Sequence, residues 1–74
     1  MTEPYTPITC DVHDQYEAAI VLHQTLTARW QDGGVWHEGA IQPLMIETAY
    51  GEEFLTFATQ GLTHRIRLDR IRLR

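Results

Sequence analysis

The chain has 74 residues, a net charge of −4 and 43 % hydrophobic residues, which suits one small folded domain, residues 1–74, and excludes a disordered chain. Its single cysteine, Cys10, excludes an internal disulfide, and no stretch approaches the roughly 20 apolar residues that span a bilayer. The first residues lack a basic region followed by an apolar stretch, so we expect no signal peptide and a cytoplasmic protein.

The charge is unevenly distributed along the chain. Residues 1–40 carry six acidic residues and one arginine, whereas residues 41–74 carry four acidic residues and five arginines. The strong overall basicity that is typical of nucleic-acid-binding proteins is absent. This distribution predicts either a basic macromolecular partner for the acidic half or charge pairing within the fold.

Residues 11–22 are predicted to form the only helix, after an extended lead-in that contains Pro4 and Pro7. Tyr5 and Ile8 are expected to attach this lead-in to the core. Asp14 followed by Glu17 is similar to a capping box, and Asp11 followed by Asp14 is an alternative start. Apolar residues at helical spacing predict a buried stripe on this helix, formed by Val12, Tyr16, Ala19, Ile20 and His23. The carboxylates of Asp11, Asp14 and Glu17 would then lie along a neighbouring exposed arc.

From residue 25 the hydrophobic period changes to two, which predicts a strand over residues 25–31 with Leu26, Ala28 and Trp30 on one face. The next three residues, 32–34, have the sequence DGG and predict a hairpin turn. A second strand is expected over residues 35–41, with a bulge or bend at Gly39. Pro43 is expected to interrupt this strand and to begin a connection over residues 42–52.

Two further strands are predicted over residues 54–59 and 62–68, with a turn at residues 60–61. The apolar residues at positions 66 and 68 share one parity, and those at 71 and 73 share the other. A strand cannot change parity without a bulge or tight bend, so a kink is expected at residues 69–70. The predicted fold is mainly β: an N-terminal helix on a strongly bent five-stranded antiparallel sheet, or a partly open small barrel.

Residues that could support catalysis are poorly placed in the sequence. The four histidines have no metal-ligand spacing with one another or with Cys10, so we predict neither a metal site nor a cofactor. Cys10 lies near His13 and Asp14, but a packed thiol at the helix start fits it better than a nucleophile. We therefore predict no enzymatic activity; a small hydrolase is the third alternative, and it would lose turnover on Cys10→Ala.

The arginines at the C-terminal end permit two interpretations. Arg65 and Arg67 project from one face of a strand and could contact phosphates. They could equally pair across strands with Glu47, Glu52 or Glu53. The negative net charge favours pairing within the fold.

The N-terminal run resembles the signature of the Rho-binding antiterminator (Rof) family, which has the form Y-x-P-I-x-C-D-x-x-D-x-x-E. The residues that match it here are Tyr5, Pro7, Ile8, Cys10, Asp11, Asp14 and Glu17. Further similarities follow in the family's order at residues 26–27, 32–33, 40, 53–55 and 66–71, so the resemblance covers nearly the whole chain.

This resemblance implies an Sm-like small barrel that binds the transcription termination factor Rho at its N-terminal, primary RNA-binding region. Binding there would inhibit Rho-dependent termination, which is transcription antitermination. The resemblance assigns the docking surface to Asp11, Asp14 and Glu17, and we expect Val12, His13 and Tyr16 to supply the apolar part of the contact.

The leading alternative is an Sm-like RNA-binding module that uses the C-terminal arginine-rich strand. We expect a monomer, because an arginine-rich edge strand discourages further strand pairing. Neither membrane binding nor direct nucleic-acid binding is expected.

Overall fold

The computed structural model describes residues 4–74, so residues 1–3 of the predicted domain lie outside the described part of the chain. One helix precedes five strands: α1 (Cys10–Leu22), β1 (Leu26–Asp32), β2 (Val35–Ala49), β3 (Glu52–Thr59), β4 (Leu62–Arg67) and β5 (Ile71–Leu73). The strands form one antiparallel sheet in the order β4-β3-β2-β1-β5. The predicted helix on a five-stranded antiparallel sheet is therefore confirmed. The sheet is not closed, since β4 and β5 form its two edges.

The sheet is strongly bent at the point where β2 changes its partner strand from β1 to β3. Residues 35–41 of β2 pair with β1, and residues 42–49 pair with β3. The rings of Trp30 on β1 and His64 on β4 lie 6.3 Å apart. In a flat sheet these two strands, three positions apart, would be separated by about 14 Å. The curvature thus brings non-adjacent strands together around the core.

The prediction that residues 42–52 form a connection was wrong, because β2 continues through Pro43 to Ala49. The register shifts between Pro43, which faces Phe57, and Met45, which faces Thr56. Proline has no N–H to donate and is tolerated in a sheet where a bulge interrupts the ladder. The irregularity therefore lies here and not at the predicted position, Gly39, which pairs regularly with Ala28.

The first hairpin turn lies where the sequence predicted it. Gly33 and Gly34 connect β1 to β2 with φ angles of 60° and 80°. Two consecutive positive φ values match the two-residue turn whose twist suits a β-hairpin, and glycine adopts them without steric strain.

α1 ends at Leu22 as predicted and begins one residue before the predicted start, but its N-cap and the burial of His23 differ from the prediction. The N-cap is Thr9, whose hydroxyl oxygen accepts a hydrogen bond from the N–H of Val12, so neither Asp11 nor Asp14 caps the helix. His23 was predicted to be buried, but it is exposed and adopts a left-handed conformation that ends the helix. Its N–H bonds to the carbonyls of Ala19 and Ile20.

The core lies inside the bent sheet and is closed by α1 and the N-terminal lead-in. Its buried residues are Tyr16, Ala28, Trp30, Ile41, Leu55, Phe57, Ile66, Leu68 and Ile71. Tyr5 and Ile8 pack against this cluster, as predicted for the lead-in. Within residues 4–74 no helix combines the length and apolar character needed to cross a membrane.

The expected kink between the last two strands is a short 3₁₀ turn, Leu68–Arg70. Asp69 fixes this turn from two sides: its carboxylate accepts a hydrogen bond from Nε of Arg67 at 2.6 Å and another from the N–H of Thr6 at 3.0 Å. The turn is therefore bound both to the preceding strand and to the lead-in.

Candidate partner-binding surface

Three carboxylates form a row on the exposed side of α1. Asp11, Asp14 and Glu17 are all solvent-exposed. At a rise of 1.5 Å per residue, the row extends about 9 Å along the helix. Asp11 lies in the first turn, where a negative charge is favoured by the helix dipole. We call these three residues the acidic face.

Most of the charge on the acidic face is not neutralised inside the described part of the chain. Among residues 4–74, Glu17 alone of the three has an ion-pair partner, with its Oε1 3.3 Å from Nδ1 of His13. Asp11 and Asp14 form no hydrogen bond or ion pair with these residues through their side chains. Two adjacent carboxylates are thus available to an external cation.

His13 joins the acidic face to the sheet. Its Nε2 lies 3.1 Å from Oε2 of Glu53 on β3, and Oε1 of Glu53 accepts a hydrogen bond from the Tyr5 hydroxyl at 3.3 Å. Burial, together with the nearby negative charge of Glu53, raises the pKa of Tyr5 from its usual value of 10.0 to about 12. These contacts join α1, β3 and the lead-in, and they hold the helix in one orientation.

Three side chains on this surface could hold a divalent cation. One ligand atom each from His13, Asp14 and Glu17 lies within 4.8 Å of the other two. Imidazole and carboxylate are common ligands of zinc and related ions. A search of the sequence for paired histidines and cysteines misses this group, because two of its three members are carboxylates.

The residues expected to supply the apolar part of the contact are unsuited to it. Tyr16 has no exposed surface, and half-buried Val12 packs against the core. The apolar surface next to the acidic face lies instead in a shallow groove of about 320 Å³ between α1 and β2. This apolar groove is lined by Glu17, Ile20, Val21, Leu44, Met45 and Ile46.

Cys10 is the first residue of α1 and is exposed, so the expected packed thiol was wrong. The neighbouring imidazole of His13 faces Glu17 and Glu53 through its two ring nitrogens. The helix therefore directs this histidine to carboxylates on α1 and β3.

Several of the C-terminal arginines contact carboxylates of the same chain. Arg65 lies 3.2 Å from Glu47, and buried Arg67 lies 3.6 Å from Glu52 in addition to its bond with Asp69. Two of the three predicted acceptors, Glu47 and Glu52, are thus cross-strand partners of arginine. The remaining acceptor, Glu53, binds Tyr5 and His13.

Neither the models of known protein families nor the curated protein sequences include a match to this chain.

Proposed function

We propose that this protein is a cytoplasmic, non-enzymatic inhibitor of transcription termination factor Rho. In this proposal the acidic face binds the N-terminal, primary RNA-binding region of Rho and keeps the transcript away from it. The observation that carries the proposal is the exposed row of Asp11, Asp14 and Glu17, in which two carboxylates are unpaired within residues 4–74. The N-terminal resemblance supplies the identity of the partner.

The mechanism is electrostatic and steric. A protein surface that binds RNA presents lysine and arginine side chains to the phosphates, and carboxylates can accept hydrogen bonds from the same donors. Because the contact between His13 and Glu53 holds α1 against the sheet, the helix that carries the three carboxylates is fixed in position before binding. This preorganisation lowers the entropic cost of the complex. Charges at the rim of such an interface mainly accelerate association.

An Sm-like RNA-binding module is the second candidate function. The observation that favours it is a pocket of about 220 Å³ beside His37 and His64, whose imidazole rings could stack on bases above the buried ring of Trp30. Against it, Arg65 and Arg67 already contact carboxylates of this chain.

Charge reversal separates the two candidates. The Asp14→Lys/Glu17→Lys variant should weaken binding to purified Rho by at least about 2 kcal/mol, roughly 30-fold, because it replaces attraction with repulsion. The control is Asp32→Lys/Glu38→Lys on the first hairpin, which changes the net charge equally and should leave the affinity within about twofold of wild type. Because Glu38 pairs with Arg29 and Arg74 and Asp32 lies 3.9 Å from His64, circular dichroism checks that this control keeps the wild-type fold. Equal affinity in both variants would refute docking through the acidic face.

The RNA-binding candidate makes the opposite prediction. The Arg65→Glu/Arg72→Glu variant changes two exposed residues and should abolish RNA binding if that candidate is correct, while Asp14→Lys/Glu17→Lys should leave RNA binding intact or improve it. Under the Rho-binding proposal, the arginine variant still binds Rho.

A further inference from the structure

The bulge in β2 turns two consecutive apolar side chains towards solvent. Pro43 faces Phe57 and Met45 faces Thr56, so Leu44 between them has no partner on β3. Leu44 and Met45 are 43 % and 48 % exposed. In a regular strand, neighbouring side chains point to opposite faces, and one of two consecutive residues here would face the core. A bulge redirects side chains, and here it exposes two apolar residues side by side.

The apolar groove continues directly from the acidic face. Val21, which is 74 % exposed, lies one helical turn after Glu17 on α1, and both residues line the groove. Among the six lining residues Glu17 is the only charged one. The surface therefore has an apolar floor with a negative rim, a combination that marks contact sites for other molecules.

We propose that the apolar groove binds aliphatic side chains from a partner-protein segment that carries lysine or arginine next to them. The basic residues of that segment would pair with Glu17 and Asp14 while its aliphatic residues contact Val21, Leu44 and Met45. This inference deepens the proposed function, on which the choice of Rho as the partner rests. It adds burial of apolar surface, which the charged residues of the acidic face do not supply.

Charge complementarity favours this occupant over a second copy of the chain. In a two-fold symmetric dimer through the groove, the same patch on both subunits would be in contact. Both contacting faces would then carry the negative rim of Glu17, on two chains that each have a net charge of −4. An anionic lipid surface would be repelled by the same rim. A basic protein segment would be attracted by the negative rim, whereas a second copy and an anionic lipid surface would be repelled.

Two substitutions and a matched control test the groove. Val21→Ser and Leu44→Ser each remove an exposed aliphatic side chain from the groove, so both variants should retain the fold, which circular dichroism checks. The control is Val35→Ser at the start of β2, a 58 % exposed valine nine residues before Leu44. By calorimetric titration with purified Rho, each groove variant should bind about tenfold more weakly, and the control should stay within about twofold of wild type.

The outcomes distinguish a failure of the groove from a failure of the proposed function. If Asp14→Lys/Glu17→Lys loses Rho binding while both groove variants bind like Val35→Ser, the groove inference is overturned and the proposed function stands. If the wild-type protein does not bind Rho, the proposed function fails, and the groove is tested with a synthetic amphipathic peptide of leucine and arginine.

Peptide binding that is lost in Leu44→Ser and kept in Val35→Ser supports the groove as a site for basic segments. Absence of peptide binding overturns the inference. Concentration-dependent dimerisation that Leu44→Ser abolishes in sedimentation would assign the groove to a second copy, and binding to anionic lipid vesicles that Leu44→Ser abolishes would assign it to a membrane. Either result overturns the proposal.

Discussion

Replacing Asp69 with asparagine tests how the turn between β4 and β5 is held. The Asp69 carboxylate accepts hydrogen bonds from Nε of Arg67 at 2.6 Å and from the N–H of Thr6 at 3.0 Å. The Arg67 side chain is only 4 % exposed and that of Asp69 only 11 %, so solvent screens this pair weakly. An asparagine side chain keeps the shape but has one oxygen for two donors, and it carries no charge.

The expected cost follows from these contacts. A hydrogen bond to a charged group contributes about 1.5–3 kcal/mol, and Arg67 keeps Glu52 as a partner at 3.6 Å. We therefore expect Asp69→Asn to lower the free energy of unfolding by about 2–3 kcal/mol at neutral pH. The total free energy of unfolding of a chain of this length is roughly 4–11 kcal/mol, so this loss is a large part of it. The midpoint of thermal unfolding should fall by roughly 8–24 °C.

The pH dependence gives the sharper test. Burial alone would raise the pKa of Asp69, but hydrogen bonds from Arg67 and the Thr6 N–H, with the charges of Arg67 and Arg70, hold it below its usual value of 3.8. A carboxylate with a lowered pKa stabilises the fold above its unfolded-state pKa and loses that contribution as the pH falls through its folded-state pKa. In urea titrations, the difference in free energy of unfolding between wild type and Asp69→Asn should therefore be full at neutral pH and should shrink as the pH falls below 3.8.

The control for this experiment is Asp32→Asn, which changes an exposed carboxylate 3.9 Å from His64. It should shift the free energy of unfolding by less than about 0.5 kcal/mol. A difference between wild type and Asp69→Asn that does not change as the pH falls from neutral through the acid range would refute the electrostatic explanation.

Two further substitutions test the core and the first hairpin. The buried Tyr16 hydroxyl has no hydrogen-bond partner among the described residues, so Tyr16→Phe should raise the free energy of unfolding by about 1 kcal/mol. The control, Tyr50→Phe, changes a fully exposed tyrosine and should have no effect. A Tyr16→Phe variant that is less stable than wild type would show that the hydroxyl is hydrogen-bonded. Gly34 has a φ of 80° with open space around it, so Gly34→Ala should cost about 1–2 kcal/mol in urea unfolding. Gly39 also has open space but no positive φ, so Gly39→Ala should cost nothing, and equal losses in the two variants would contradict the turn geometry.

Local signals in the sequence predicted most of the elements. The helix, the Gly33-Gly34 turn and the parity change before the last strand each depend on residues that are close together in the chain, and each is found in the structure. The long β2 was missed because proline usually ends a strand. Its continuation depends on the partner strand: the bulge after Pro43 forms against Phe57 and Thr56 of β3, and nothing within residues 42–52 specifies that pairing.

In the candidate site, too, some features depend on residues close together in the sequence and others on contacts between distant residues. The exposure of Asp11, Asp14 and Glu17 follows from their spacing on one helix. The contacts that orient this helix join residues 40 and 48 positions apart, His13 with Glu53 and Tyr5 with Glu53. The exposed Leu44 and Met45 follow from the bulge, so the apolar groove could not be derived from the sequence.

Competition with RNA tests the central claim most directly. Labelled single-stranded RNA is bound to purified Rho at its primary site, and its release is measured by fluorescence anisotropy as the protein is added. We predict that wild-type protein displaces the RNA at concentrations that match its affinity for Rho, whereas Asp14→Lys/Glu17→Lys does not. Wild-type protein that binds Rho while the RNA stays bound would contradict occlusion of the RNA site by the acidic face.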